Sequence, residues 1–248
     1  MTEAPHPVGF NRRVDREWLD HTARMVMAGI SEDEIHRELS EYLSGVQSVD
    51  SDAKRGSREK TITLLKKTWV NPRKELIPLR DDGLKYLATL PEDQKLAIHW
   101  CMTAAAYPFW LDVARVMGRL IFLQGDFHSQ EVQRRVREQY GQRETAYRSA
   151  RYVIYSSRQW GALVKNEDTG FYEPVEQIVL SDPEVIAWVI ESQLHASSKS
   201  KLMLSECMAD PALFPFYLSA SSSNLIQSSS RLNHEILGLN EIVITFSR

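Results

Sequence analysis

Between residues 144 and 160, Ala146, Ala150, Val153, Ser157 and Trp160 recur at steps of three and four, the spacing of one stripe on an α-helix. Arg148, Arg151, Tyr155 and Arg158 recur at the same steps on another face. Any fold of this chain must bury the first stripe and leave the second, three guanidinium groups and a phenol, in water.

The flanking residues narrow the choice. Residues 129–140 read as a shorter helix carrying Arg134, Arg135 and Arg137, Gly141-Gln142 as a turn, and Arg143 leads into the second helix, which Gly161 ends. Residues 162–165 and 171–175 read as short strands around Asn166-Glu167-Asp168-Thr169-Gly170, a loop of turn formers. Helix, tight turn, helix and hairpin predict a winged helix-turn-helix over residues 126–175.

That order fits duplex DNA. A major groove admits one helix, arginine forks onto guanine edges or phosphates, and tyrosine donates to phosphate oxygens. The expected contacts are Arg134, Arg135, Arg143, Arg148, Arg151, Tyr155 and Arg158, with Lys165 near the wing. From His128 to Lys165 stand eight basic side chains against Glu131, Glu138 and Glu144, a local excess of five. The whole chain carries a formal charge of -3, so DNA affinity has to come from such local patches. The alternative reading of the same residues is a solvated helix face laced with ion pairs.

A second basic cluster, Lys54, Arg55, Arg58, Lys60, Lys66, Lys67, Arg73 and Lys74, surrounds a helix expected over residues 57–70. It extends a phosphate track, or else is ordinary surface or a site for an acidic protein; its expected DNA contacts are Lys54, Arg55 and Arg58.

The rest of the chain reads as mainly helical. A helix over 15–28 ends at Gly29, and Ser31 with Glu34 three residues later forms a capping box before Ile35, Leu39 and Leu43. Further helices are expected near 82–89, from Pro91 through 96–106, to 123 and over 183–194, with Trp69, Trp100, Trp110 and Trp188 in the core. Residues 202–218 and 224–237 suggest helices, and 241–246 a terminal strand. The expected organisation is a helical N-terminal domain (10–90), a winged helix-turn-helix domain (91–180) and a smaller, mostly helical C-terminal domain (181–248) with room for a second winged-helix-like module.

Several classes are excluded as expectations. Phosphate-loop, dinucleotide, zinc-protease, hydrolase-elbow and calcium-loop motifs do not occur, so no catalysis and no cofactor are expected. Cys101 and Cys207 have neither metal-ligand nor disulfide spacing, which fits a reducing cytoplasm, and His21, His36 and His99 read as surface or satisfied interior histidines. Residues 1–8 lack a signal-peptide layout, and residues 109–123 contain Asp112, Arg115 and Arg119, so neither export nor a membrane span is expected.

The order of features resembles the BrxA accessory proteins of BREX bacteriophage-exclusion operons. The resemblance is carried by the helix pair over 17–43, by Ser51-Asp52-Ala53-Lys54-Arg55, by residues 96–106 with Tyr107-Pro108-Phe109-Trp110, and by residues 148–164 with Trp160-Gly161-Ala162-Leu163. It covers approximately residues 14–192, and the residues beyond depart from the pattern. It implies a helical protein with a winged-helix part, DNA binding and a place in phage defence beside other subunits. Two other functions share the expected fold. One is a transcriptional repressor binding a palindrome as a dimer. The other is a protein-interaction scaffold that exposes Leu213-Phe214-Pro215-Phe216-Tyr217 to a partner.

Overall fold

The computed structural model describes residues 6–46, 52–141, 143–221, 225, 228–237 and 241–247. Helix α1 (Arg16–Met27) stops at Gly29, which takes a φ of +71° that a side chain would disfavour. Helix α2 (Glu32–Val46) begins with the expected capping box: the Glu34 N–H donates to Ser31 Oγ and the Ser31 N–H to Glu34 Oε2, both at 3.4 Å. The Ser31 hydroxyl donates to the same carboxylate at 2.7 Å, and these bonds hold the Glu34 carboxyl below its ordinary range.

Helix α3 (Asp52–Leu65) starts earlier than the periodicity predicts and runs into a π-helical turn, Lys66–Val70, before Asn71-Pro72. Ile62, Leu65 and Trp69 share its buried side as expected. Helix α4 (Ile77–Thr89) also starts early, because Pro78 is compatible with a first helical turn that lacks N–H acceptors. Pro91, expected to open the next helix, sits in the preceding turn, and α5 begins only at Lys95 (Lys95–Ala106).

Helix α5 is the axis of the core, buried without interruption from Leu96 to Ala105, and packs against α4, α6 (Pro108–Gln124) and α9 (Pro183–Ala196). Trp100 on α5 meets Trp110, Trp160, Phe214 and Phe216 edge-on, at centroid distances of 5.1 to 6.1 Å, and its indole N–H donates to the Ala212 carbonyl. Trp110 and Trp160 stack at 4.5 Å. These indoles join the helices to the C-terminal chain, and one cluster of buried apolar residues runs from Phe10 to Ile244.

After α6, which Gly125 ends at φ +88°, come strand β1 (Phe127–His128), helix α7 (Ser129–Tyr140), helix α8 (Glu144–Gln159) and strands β2 (Leu163–Lys165) and β3 (Phe171–Pro174). The three strands form an antiparallel sheet in the order β1-β3-β2, with Phe127 opposite Tyr172 and Lys165 also opposite Tyr172 on the other side. The hairpin and both helices fall where the sequence puts them; β1, two residues long, is too short to leave a periodic signal.

The C-terminal chain departs most from expectation. Helix α9 is as predicted, N-capped by Asp182, whose carboxylate accepts from the Glu184 N–H at 2.8 Å. Strand β4 (Ile178–Leu180), however, pairs in parallel with β6 (Phe216–Leu218). Residues 202–218, expected to be helical, divide among strand β5 (Lys201–Met203), the short helix α10 (Leu204–Met208), a 3-10 turn (Pro211–Leu213) and β6. Residues 232–237, expected in a helix over 224–237, form strand β7 (Leu232–Leu237), which makes a hairpin with β8 (Glu241–Phe246). Residues 224, 226 and 227, also in that expected helix, lie outside the described residues. The last sheet is ordered β5-β8-β7. Leu213, Phe214 and Phe216, expected to be exposed for a partner, are buried; of that segment's aromatics only Tyr217 is exposed.

Candidate nucleic-acid interface

Helix α8 separates its two stripes as the sequence requires. Ala146, Ala150, Val153, Ser157 and Trp160 are buried, whereas Arg148, Arg151 and Arg158 are exposed. The helix is fixed from behind by the N-terminal arm: the Val14 N–H donates to Ser156 Oγ at 3.1 Å, and the Trp160 indole N–H donates to the Val14 carbonyl at 2.9 Å. Both anchors sit on the buried side, so they hold the basic ridge outward without consuming it.

The ridge differs from the expected one at Tyr155. That ring is half-buried under the Arg13 guanidinium, 4.1 Å from its centroid, and its hydroxyl accepts from the Gln159 amide at 2.8 Å. Burial raises the Tyr155 pKa, so the phenol stays protonated. Arg13 therefore joins the face, also meeting Asp15 at 3.2 Å. Nothing local in the sequence marks it, because the contact spans 142 residues.

The remaining arginines divide by partner. Arg134 pairs with Glu138 at 2.7 Å and Arg135 with Glu131 at 3.1 Å, both one helical turn apart on α7. Arg148 lies 3.9 Å from Glu144, and Arg137 lies 3.8 Å from the same carboxylate while stacking on Tyr147. Arg143 and Arg151 make no ion pair or side-chain hydrogen bond among the described residues. Such exposed pairs contribute roughly 0.2–1 kcal/mol each, so a polyanion exchanges them at small cost.

At the hairpin, Arg158 and Lys165 converge on one carboxylate: Arg158 donates to Glu167 Oε1 at 2.9 Å and Lys165 to Glu167 Oε2 at 2.8 Å. The loop is shaped independently of this pair, since Asn166 Oδ1 accepts from the Asp168 and Thr169 N–H groups, each at 3.1 Å, and Gly170 adopts φ +76°.

The second basic cluster is less available. The side chains of Lys54 and Arg55, on α3, lie outside the described ones, and Arg58 is half-buried. Lys66 is held by Glu32 at 2.6 Å, and Arg73 donates to the Ala105 carbonyl at 3.1 Å. Helix α3 packs chiefly against α1, α2 and the π-helical turn.

Two of the concavities among the described residues stand apart from this face. One, about 510 Å³, is lined by Arg115, Arg119, Lys199 and Glu206 around a buried ion-pair network in which Asp112 accepts from Tyr140 and Arg115, and Arg115 also pairs with Asp210 at 2.7 Å. The other, about 340 Å³, is an apolar groove between the end of α6 and β6, beside Phe122 and Tyr217, which are 88% and 56% exposed. Among the described residues no group of His, Cys, Asp and Glu side chains is placed to hold a metal ion, and no helix is long and apolar enough to cross a membrane. Cys101 and Cys207 are buried free thiols.

Compared with protein-family models, curated proteins and solved structures, the chain has no match in any of the three.

Proposed function

We propose that residues 108–174 form a winged helix and that the protein binds duplex DNA with α8 in the major groove and the 166–170 loop as the wing. The observation that carries this reading is the exposed row Arg148, Arg151 and Arg158, held outward by anchors on the opposite face and continued at the hairpin by Lys165. The sheet order β1-β3-β2, in which the strand after α6 pairs with the last strand of the hairpin, supports the winged-helix assignment. The β5-β8-β7 sheet repeats that order, but its hairpin exposes Ile236 and Leu237 where the first carries charges, so the DNA face is assigned to the first unit. Given the BrxA resemblance over residues 14–192, the proposed role is a DNA-binding, non-catalytic accessory subunit of a phage-defence system in the cytoplasm.

Arginine modification with phenylglyoxal, read by peptide mass spectrometry with and without random duplex DNA, tests the face. DNA is expected to protect Arg148, Arg151 and Arg158 while leaving the exposed Arg37 reactive. Equal modification with and without DNA contradicts the assignment.

One observation favours protein docking as a second role. The groove beside Phe122 places two exposed aromatic rings on an apolar surface, as protein-binding sites do. Phe122→Ser is then expected to weaken association with a partner subunit while leaving DNA binding intact.

A further inference from the structure

Two cations from different elements, Arg158 at the end of α8 and Lys165 at the end of β2, meet across a gap filled by a single two-oxygen anion, the Glu167 carboxylate. A carboxylate and a backbone phosphodiester present the same chemistry to a guanidinium and an ammonium: two charge-sharing oxygens that accept charge-assisted hydrogen bonds. Three features separate this arrangement from an incidental surface pair. Each Glu167 oxygen takes a different cation, so both positive charges are answered by one acid. The pair holds the Glu167 carboxyl below its ordinary range, chiefly through the Lys165 hydrogen bond, so it stays ionised. Asn166, through the Asp168 and Thr169 N–H groups, already fixes the loop, so Glu167 is not needed to shape the wing.

We propose that Arg158 and Lys165 form a clamp for one DNA backbone phosphate, and that Glu167 occupies this clamp in the unbound protein as an internal competitor. The inference rests on the DNA-binding reading and deepens it: the wing contact is made by exchange, with Glu167 swinging out as a phosphate enters. Sequence-independent binding is thereby held weak until the rest of α8 is seated, because the clamp opens only for a phosphate placed well enough to displace a tethered carboxylate.

The test is fluorescence-anisotropy titration of a random duplex with the wild type, Glu167→Gln, Asp168→Asn, Arg158→Gln and the double variant Glu167→Gln/Arg158→Gln. Asp168→Asn makes the same change of charge one residue away, on an exposed side chain outside the clamp. Glu167→Gln is expected to tighten binding by about 3- to 10-fold, from release of two exposed ion pairs, with the salt slope little changed because the same phosphate is neutralised in both proteins. Asp168→Asn is expected to change affinity less than 2-fold, roughly the effect of distant screened charge. In the Arg158→Gln background the Glu167→Gln gain is expected to fall by at least about half, because one of its two beneficiaries is gone. Equal gains from the two acidic substitutions, or a full Glu167→Gln gain retained without Arg158, overturns the clamp while leaving DNA binding standing. Absence of binding by every protein in the set, the wild type included, overturns the DNA-binding reading itself and the clamp with it.

Discussion

Arg231 shows how much one side chain does here. Its guanidinium donates to both oxygens of Glu191, at 2.8 and 2.9 Å, and to Asp82 at 2.6 Å, tying the chain just before β7 to α9 and α4. Glu191 is itself buried, so Arg231→Ala leaves a carboxylate without its main partner; the expected loss is about 3 kcal/mol, read from denaturant unfolding. A second residue sets a pH response. His99 is fully buried, its Nε2 meets Asp20 at 2.8 Å, and burial lowers its pKa from the usual value. Acidification therefore protonates the unfolded chain before the folded one, and stability drops as pH falls below about 6.5. A thermal-melt series from pH 8 to 5 is expected to show that decline in the wild type and a flatter profile in His99→Gln. None of these pairings is legible in sequence, because Arg231 and Asp82 are 149 residues apart. What residue-level reading does capture is local: the Ser31–Glu34 capping box, the turn residues of the 166–170 loop, and the core tryptophans Trp69, Trp100, Trp110 and Trp188.

Among the elements, the α-helices were the readable part, because a buried stripe repeats several times within one helix. Helix α8 is the plainest case, every residue of its expected stripe being buried. The strands were readable only where turn residues frame them, as at 166–170. Strands β5 and β6 are three residues each, too short for alternation, and β7 exposes most of its residues, so its period of two has no core face to show it. The site fared similarly: the arginine row was visible, but Arg13 over Tyr155 and Glu167 between two cations depend on packing and loop shape. One element contact invites a direct test. Helix α6 crosses the 3-10 turn so closely that a Cβ on Gly118 would stand 1.8 Å from the Pro211 carbonyl oxygen. Backbone has to move to admit it, so Gly118→Ala is expected to cost about 3 kcal/mol, measured by chemical denaturation.

At the scale of the whole molecule, the apolar cluster from Phe10 to Ile244 connects the N-terminal helices, the α8 unit and the C-terminal sheets through α5 and its indoles. Denaturant unfolding is therefore expected to give coincident transitions by tryptophan fluorescence and far-ultraviolet circular dichroism. The net charge of -3 against a local excess of five basic groups around α8 gives the molecule a polarity, and DNA is expected to meet it from one side. The most direct test of that central claim is fluorescence anisotropy on random duplex DNA across a salt series, for the wild type and an Arg148→Glu/Arg151→Glu variant shown to be folded. The account predicts micromolar binding by the wild type that weakens steeply with salt, by a log–log slope of about -0.9 per phosphate neutralised, and loss of that binding in the variant. Undiminished binding by the variant, or no wild-type binding at low salt, would contradict it.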